Sequence, residues 1–325
     1  MSDLGRVVVL AGGLSHEREV SLRSGRRVTE ALRSVGVDVE LRDVDATLVP
    51  ALTQDLPAVV FPALHGVAGE DGAVRDVLGL LGVPYVGATP AACRVAFDKP
   101  AAKAAVSAAG LATPDSVALP HATFRDLGAS SVLDAIVGRL GLPLFVKPAR
   151  GGSALGASAV RTQADLPHAM VGCFAYGDTA LVERLVGGVE VAVSVVDTGS
   201  GPRSLPPVEI VPDGGVYDYA ARYTAGMTEF FTPARLAPEA AERAAHAAVT
   251  AHEVLGLRDV SRTDLIVDPE GTPWFLEVNV APGMTETSLL PQAAAAADLD
   301  LGALYRDLLH VAASRASSES RVNRA

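Results

Sequence analysis

The sequence predicts an α/β protein of more than one domain, and three separate stretches indicate this. Near the N-terminus, an apolar strand over Arg6–Leu10 runs into a glycine turn and then into residues at helical spacing. In the middle, the strand Leu144–Pro148 meets a glycine-rich turn and a returning strand. Near the C-terminus, two apolar runs within Leu265–Val278 flank a Pro-Glu-Gly turn, which is typical of a β-hairpin.

Composition limits the classes of protein to consider. With 325 residues, 49% of them hydrophobic, the chain can bury the cores of two or three domains. The net charge of −11 argues against a nucleic-acid or membrane-surface partner, since both require a basic face. Cys93 and Cys173 are too few for a disulfide framework or a cysteine zinc site. No apolar run approaches the ~20 residues of a membrane span, so we expect a cytoplasmic protein.

The N-terminal segment predicts an open parallel sheet with ligands at the strand ends. Strands over Val37–Leu41 and Ala58–Leu64 and a helix over Ala73–Leu81 continue the alternation. The glycines after the first strand do not form GxGxxG, so a dinucleotide site is not predicted. His65 directly follows a buried strand, where a structural and a functional role are about equally expected.

The central segment predicts a phosphate site. A helix begins at Asp98-Lys99, with Pro100 suited to its first turn, and Lys99 and Lys103 fit a solvated face of that helix. Lys147 ends an apolar strand, where an amine is costly to bury without an anion. The turn Gly151–Gly156 then offers backbone N–H groups that can cover phosphates. It is not a Walker A loop, because no GK[ST] closes it.

Between this turn and the hairpin, the pattern predicts helices, strands and a closing loop. The loop lies near Val216–Tyr223, between two strand-like pieces. Glu190 begins a valine-rich strand. A charged residue at this position is either functional or simply exposed at the end of the strand. The helices are expected over Leu133–Leu140, Ala164–Phe174 and Pro238–Leu255, and the strands over Ala180–Val186 and Val191–Val196, with Gly187-Gly188 as a hinge.

The hairpin predicts a metal site. Asp264 lies near one strand end, and Glu277 and Asn279 lie on one face of the opposite strand. Three oxygen ligands in this arrangement suit Mg²⁺, which takes the rest of its shell from water and substrate phosphates. The alternative is a surface hairpin with ordinary polar residues.

The C-terminal stretch predicts two helices and a tail. Thr285–Ser288 supplies N-cap residues for a helix through Ala297, whose first N–H groups can receive a carboxylate. A last helix is expected over Leu301–Val311. The remaining polar residues show no apolar periodicity, so we expect a disordered tail.

Several motifs together resemble one family. Arg262-x-Asp264 followed by Glu277-x-Asn279-x-x-Pro282-Gly283-Met284-Thr285 is similar to the C-terminal signature of the D-alanine–D-alanine ligase family of ATP-grasp enzymes. The stretches GGLSHEREVS, HGVAGEDG, VKPARGGSALG and YDYAARY are similar to the family patterns GGxSxExxVS, HGxxGEDG, VKPxxxGSSxG and YDYxAKY. The likeness runs from Val7 to Leu309, nearly the whole chain.

This resemblance implies an ATP-grasp fold: an N-terminal open parallel α/β domain plus two α+β lobes that enclose the nucleotide. The implied segments are 1–97 for the N-terminal domain, 98–187 for the central lobe, 188–312 for the C-terminal lobe and 313–325 for the disordered tail. The implied activity is phosphorylation of one D-alanine by ATP, followed by attack of a second D-alanine on the D-alanyl phosphate. The product, D-alanyl-D-alanine, serves peptidoglycan precursor synthesis. ATP, two Mg²⁺ or Mn²⁺ ions and a homodimer are implied as well.

The resemblance also implies a role for each matching residue. The implied catalytic residues are Glu17, Ser153, Tyr223, Arg262 and Gly283. The amino-acid substrates would be bound by His65, Ser288 and Leu289. The nucleotide would be bound by Lys99, Lys147, Glu183, Leu185, Glu190 and Arg222. The metal ligands would be Asp264, Glu277 and Asn279.

Three departures from the family pattern leave the exact substrate open. Ala154 replaces a serine, Arg222 replaces a lysine and Val280 replaces a threonine. A related ligase that joins other amino or hydroxy acids is therefore an alternative. A non-catalytic nucleotide-binding module would lack a metal ligand or a phosphate lysine, and none is lost. Tyr223, Ser153 and Glu17 together favour an amine acceptor over a hydroxyl, because a phenol has no cationic form that repels an ammonium.

Overall fold

The computed structural model describes residues 4–214, 217 and 226–322, with side chains as far as Arg315. The strands are β1 Val7–Ala11, β2 Val39–Asp43, β3 Val59–Pro62, β4 Ser116–Pro120, β5 Leu144–Pro148, β6 Ser158–Val160, β7 Thr179–Arg184, β8 Val189–Val196, β9 Arg203–Ser204, β10 Val208–Pro212, β11 Thr228–Phe231, β12 Val260–Val267 and β13 Pro273–Asn279. The helices are α1 Arg18–Ser34, α2 Leu48–Gln54, α3 Val67–Glu70, α4 Ala73–Leu80, α5 Pro90–Phe97, α6 Lys99–Ala108, α7 His121–Leu127, α8 Ala129–Leu140, α9 Leu166–Phe174, α10 Pro238–Val254, α11 Leu289–Ala296 and α12 Leu301–Val322. A 3₁₀ turn spans Gln163–Asp165.

The N-terminal sheet is parallel, in the order β2-β1-β3, as the sequence predicted. Its central strand β1 is wholly buried, which explains its unbroken run of apolar residues. The strands that the sequence placed at 37–41 and 58–64 begin at Val39 and Val59, where each enters register with Val7. The loops that follow β1 and β3 leave from the same edge of the sheet, so their polar residues lie together.

The central sheet is antiparallel, in the order β4-β7-β5-β6. Its core is formed by strand residues such as Leu144 and Val146 with Ile136 of α8 and Leu166 of α9. The glycine-rich turn connects β5 to β6, as predicted, and it lies at the end of the sheet where Lys147 emerges.

The C-terminal sheet is antiparallel, in the order β11-β10-β8-β12-β13, with β9 beside β8. The predicted hairpin is β12–β13, and its register places Asp264 opposite Glu277 and Arg262 opposite Asn279. A bulge follows Asp264, where the register shifts by one residue. Such a bulge re-aims side chains next to it, and here it lies beside the predicted metal ligands.

The C-terminal sheet is covered by different neighbours on its two faces. On one face, residues of β8 and β10 share a single core with the N-terminal domain, and Tyr305 of α12 packs edge-on against Phe61 at 5.4 Å. On the other face, α5, α6 and α10 pack against β8 and β13. Helix α6 therefore rests on the C-terminal sheet, although the sequence analysis assigned it to the central lobe. Each sheet lies within one of the three predicted segments, and the segment boundaries stay predictions.

The predicted disordered tail is wrong, because α12 continues to Val322. Ala312 is buried, and Arg315 binds both carboxylate oxygens of Asp259 at 2.5 and 2.7 Å. Asp259 lies 56 residues earlier and also accepts the N–H of Gly87 at 2.6 Å, so this contact is invisible to local periodicity. No helix in the described ranges is long and apolar enough to span a membrane.

Candidate active site

A cleft of about 630 Å³ lies between the central and C-terminal sheets, within the size range of pockets that hold nucleotide-sized ligands. Its walls come from β5, β7, β10, the glycine-rich turn and the β12–β13 hairpin. The predicted nucleotide and metal residues that line it are Lys99, Lys147, Glu183, Leu185, Glu190, Asp264 and Glu277. These residues are spread over 179 positions of sequence from Lys99 to Glu277, and the fold brings them together.

Buried ion pairs line the floor of this cleft. Each carboxylate oxygen of Glu183 forms an ion pair with a lysine. One oxygen lies 2.6 Å from the Lys147 ammonium, and the other lies 2.5 Å from the Lys103 ammonium. Lys99 lies 3.2 Å from Glu277 and donates to the carbonyl of Gly151 at 2.7 Å. The alternative in which Lys99 and Lys103 simply form a solvated helix face is therefore wrong, since they are 7% and 4% exposed. They face inward because α6 packs against the C-terminal sheet.

The hairpin presents the carboxylates of Asp264 and Glu277 to the cleft, whereas the amide of Asn279 lines a smaller cavity beside it. Arg262 binds Asp264 in a bidentate way, at 2.7 and 2.8 Å. The Oδ1 atom of Asn279 accepts the N–H of Ala281 at 2.7 Å. Among the described residues, no three His, Cys, Asp or Glu side chains form a complete metal centre. The donor set still fits Mg²⁺, because two carboxylates and an amide are hard oxygen donors and bound phosphates would supply further ligands.

A second, smaller cavity of about 110 Å³ adjoins the cleft and shares Lys99, Gly151, Gly152 and Glu277 with it. Its volume limits it to small molecules. The predicted residues that line it are Glu17, His65, Ser153, Arg262, Asn279, Gly283, Ser288 and Leu289. The structure thus divides the predicted residues between two adjoining cavities, with most of the nucleotide residues in the cleft and the described amino-acid and catalytic residues in the smaller cavity.

Residues from the N-terminal domain and the glycine-rich turn meet at one end of this cavity. Ser153 donates to Glu17 at 3.0 Å, and Glu17 is 7% exposed at the start of α1. Ser153 and Ala154 both have left-handed backbone, with φ of 55° and 54°, which is uncommon for residues other than glycine. Gly66 has a left-handed backbone with φ of 66°, and a Cβ atom there would displace the Glu17 carboxylate. The strained turn thus presents the Ser153 hydroxyl to Glu17.

Glu70 is a functional candidate to which the sequence analysis assigned no role. It lies in the same cavity, is 7% exposed and accepts the N–H of Gly66 at 2.9 Å. Burial raises the pKa of Glu70 to about 7, and the nearby Glu17 adds to the effect. The motif HGVAGEDG contains Glu70 and could have drawn attention to it. The motif alone does not tell which of its two acidic residues is buried, because the short helix α3 decides this.

His65 is held in place by both of its ring nitrogens. Its Nδ1 atom donates to the carbonyl of Ala281 at 2.9 Å, and its Nε2 atom accepts the hydroxyl of Ser24 at 2.8 Å. Ser24 also accepts the N–H of Met284 at 3.1 Å. Burial lowers the pKa of His65 to about 4, so the ring is neutral near neutral pH. His65 and Ser24 therefore join α1 to the 281–284 loop and hold that loop in position.

The opposite end of the small cavity is the start of α11. Ser288 is the N-cap residue, as predicted, but its hydroxyl accepts the N–H of Thr285 at 3.0 Å and makes no capping bond. The first N–H groups of α11, including that of Leu289, lie at this end of the cavity, where a carboxylate is favoured. At Gly283 a Cβ atom would lie 2.5 Å from the Ser288 hydroxyl, so a larger residue would displace it.

Three further predictions have different outcomes. The N–H of Leu185 donates to the carbonyl of Pro143 at 3.0 Å. Because the N–H is already bonded, the backbone group of Leu185 that can bind a nucleotide is its carbonyl. Arg222 and Tyr223 lie outside the described residues. Val280 is 2% exposed in the core between α6 and the C-terminal sheet and lines neither cavity. Its apolar side chain therefore suits a packing role.

Comparisons with known proteins identify the family. Residues 105–310 match the family model described as D-ala D-ala ligase C-terminus. A D-alanine–D-alanine ligase from Anaeromyxobacter sp. (strain K) is 43% identical over 96% of this chain and 98% of its own. The chain belongs to the D-alanine–D-alanine ligase family. A member from Bordetella avium (strain 197N) is 39% identical over 98% of both chains.

Solved structures of this ligase family agree with the fold. The D-alanine–D-alanine ligase of Bacillus anthracis, solved in complex with ATP, is 26% identical and covers 97% of this chain and 99% of its own, with a TM-score of 0.79. The VanG D-Ala:D-Ser ligase of Enterococcus faecalis is 28% identical over 94% and 98%, with a TM-score of 0.81. The predicted ATP-grasp fold is confirmed.

Proposed function

We propose that this ligase uses ATP to join two D-alanines into D-alanyl-D-alanine, releasing ADP and phosphate and supplying peptidoglycan precursors. The observation that carries the proposal is the pair of adjoining cavities. One is large enough for a nucleotide and lined by lysines and carboxylates, and the other admits only small molecules. Glu277 and Lys99 belong to both, so a phosphoryl group and an amino-acid carboxylate can meet at this boundary.

The first D-alanine binds beside the glycine-rich turn in this proposal. Its ammonium group pairs with Glu17, which Ser153 holds in place. Its carboxylate points to the boundary of the two cavities, where it attacks the terminal phosphoryl group of ATP. The product of this step is D-alanyl phosphate, and the carboxylate carbon has become an electrophile. Tyr223 is proposed to complete the hydrogen-bonded set with Ser153 and Glu17.

ATP occupies the large cleft, with its phosphates at the boundary end. Lys99 and Lys147 bind the phosphates, and by the family resemblance Arg222 is proposed to bind the nucleotide as well. Asp264, Glu277 and Asn279 would hold Mg²⁺ or Mn²⁺, and a bound metal neutralises charge on the transferred phosphoryl group. By the family resemblance, Glu183 and the Leu185 carbonyl receive the adenine and Glu190 receives the ribose, and all three residues line the cleft.

The second D-alanine binds at the start of α11. Its carboxylate is held by Ser288 and the Leu289 N–H group, which leaves its amine directed at the D-alanyl phosphate. The guanidinium of Arg262 and the Gly283 N–H face the oxygen that becomes negative in the tetrahedral intermediate. Arg262 is 8% exposed and its bidentate bond to Asp264 fixes its plane, so it is preorganised for this role.

A coupled assay of phosphate release tests this function. With D-alanine alone, we expect ADP, phosphate and the dipeptide in equal amounts. D-serine and D-lactate, each supplied with D-alanine, test the acceptor, because the similar VanG protein is a D-Ala:D-Ser ligase. We expect D-alanyl-D-alanine to predominate at neutral pH. A mixed dipeptide or an ester as the main product would contradict the proposal, as would phosphate release only with L-amino acids.

We also propose a cytoplasmic homodimer. Both cysteines are buried and unpaired, which fits a reducing compartment. The dimer rests on family resemblance, and light scattering of the purified protein at several concentrations tests it.

A further inference from the structure

The three lysines of this chain occupy one buried cluster. Of its 27 basic residues, only Lys99, Lys103 and Lys147 are lysines, and the other 24 are arginines. All three pair with Glu183 or Glu277 on the floor of the large cleft. An ammonium is a compact point charge, whereas a guanidinium is larger and forked. The chain thus uses lysine only in this buried cluster, where a compact cation fits. Of the three lysines, Lys103 has no role in the mechanism proposed above.

Lys103 differs from the other two lysines in what it contacts. Lys99 and Lys147 line the cleft, but Lys103 does not, and its side chain is 4% exposed behind Glu183. Its ammonium lies 2.5 Å from one oxygen of Glu183, and that of Lys147 lies 2.6 Å from the other. Glu183 therefore separates a lysine that faces the nucleotide from one that cannot reach it.

The charges of Glu183, Lys103 and Lys147 explain why Glu183 has two lysine partners. A buried carboxylate requires a cation, and removing its partner is strongly unfavourable. With Lys147 as the sole partner, a move of Lys147 toward phosphate would leave Glu183 unpaired. With Lys103 present, the group has two cations and one anion, so one positive charge remains for the ligand. Burial lowers the pKa of Lys147, but Glu183 and Glu277 outweigh burial and raise it overall.

We infer that Lys103 is a positioning residue that holds Glu183 and so releases Lys147 to bind the phosphates of ATP. The inference rests on the proposed function, in which ATP occupies this cleft. While Lys147 binds phosphate, Lys103 keeps the Glu183 carboxylate charged and fixed. The oxygen that Lys147 leaves is then available to the amino group of the adenine.

Binding measurements on four variants test the inference. The probes are Mg²⁺·ATP and inorganic tripolyphosphate with Mg²⁺, which has no adenine, and the readout is the dissociation constant from calorimetry. K103M should weaken tripolyphosphate binding about 10- to 100-fold, the usual value of a hydrogen bond to a charged group. K103M/E183Q should recover most of this loss, because Lys147 is no longer held by an anion. K147M and K147M/E183Q should both stay weak, because the lysine that meets the phosphates is gone.

The outcomes separate this inference from its alternatives. If K103M/E183Q binds as weakly as K103M, or if K103M binds like the wild type, the inference is wrong. Thermal unfolding shows whether each variant is folded. Should K103M fail to fold, E183Q and K103M/E183Q are compared: they should bind tripolyphosphate about equally, because Lys103 acts only through Glu183, and a clear difference would overturn the inference. A wild-type protein that does not bind Mg²⁺·ATP would instead overturn the proposed function.

Discussion

The two adjoining cavities differ in how their charges are balanced. In the nucleotide cleft, each lysine pairs with a carboxylate, and the group around Glu183 carries one surplus positive charge. At one end of the amino-acid cavity, Glu17 and Glu70 lie close together, and in the part of the chain that the structure describes neither carboxylate has a lysine or arginine within ion-pair distance. The difference matches the ligands: phosphates need surplus positive charge, and an ammonium group needs surplus negative charge.

The two cavities also differ in construction. The functional groups of the cleft lie on or beside strands of two sheets, whose register fixes their spacing. The small cavity combines loops and helix ends with the end of the β12–β13 hairpin, and its lining comes from all three parts of the chain. Glu17 comes from the N-terminal domain, Ser153 from the central lobe and Arg262 from the C-terminal lobe. A change of angle between the lobes therefore alters the small cavity more than it alters the spacing within either sheet.

The largest effect is expected at Glu277, which belongs to both cavities. Glu277→Gln should reduce turnover roughly 100-fold or more, because loss of a metal ligand should cost at least as much as loss of a supporting residue. The same change releases Lys99 from its partner at 3.2 Å, so ATP binding without metal should be kept or strengthened. Steady-state turnover and calorimetry with and without Mg²⁺ measure the two effects.

Glu270→Gln is the matched control, because Glu270 is exposed at the turn of the same hairpin. It makes the same chemical change far from the cleft and should leave turnover unchanged. If Glu277→Gln keeps ordinary activity at saturating Mg²⁺, the metal assignment is wrong. The Glu277 carboxylate would then serve only as the ion-pair partner of Lys99.

An intermediate effect is expected at Glu70. Its pKa is raised to about 7, first by burial and then by Glu17, so the carboxyl becomes neutral as the pH falls through 7. A neutral carboxyl attracts an ammonium less, so binding of the first D-alanine should weaken below pH 7. The limit is about tenfold per pH unit, if only the ionised form binds. His65 does not add to this dependence, since its pKa is about 4.

The KM of the first D-alanine, measured from pH 5.5 to 8.5, tests this expectation. Glu70→Gln should remove the change near pH 7, because the amide does not titrate. Glu19→Gln, an exposed change on α1, should keep the wild-type profile. A flat wild-type profile would contradict the idea that the negative charge of Glu70 assists ammonium binding.

Sequence patterns predicted the hairpin and its register well, and parts of the buried cluster poorly. Asp264 and Glu277 are neighbours because a short turn fixes the register of two strands, and that relation is local. Lys103 and Glu70 face inward because distant segments pack against them, and periodicity within one helix does not contain this information. The same reason explains the wrong end of α12, where Arg315 is held by Asp259 from another element. The scarcity of lysine was the signal that could have identified Lys103.

The smallest effect on activity is expected at Val280, the departure that left acceptor choice open. Val280 is packed in the core and lines neither cavity, so Val280→Thr should not change the ratio of dipeptide to ester. The buried hydroxyl should instead lower the free energy of unfolding by about 1–3 kcal/mol if it finds no partner. Product analysis with D-alanine and D-lactate together, and denaturant unfolding, measure the two quantities.

Val278→Thr gives the comparison, because Val278 lies on β13 two residues before Val280 and belongs to the same core cluster, but it also lines the small cavity. It should change the KM for D-alanine, whereas Val280→Thr should not. An increase in ester formation by Val280→Thr alone would mean that the core beneath the hairpin sets acceptor choice. In that case Val280 would affect substrate binding as well as packing, and its role could not be separated from that of Val278.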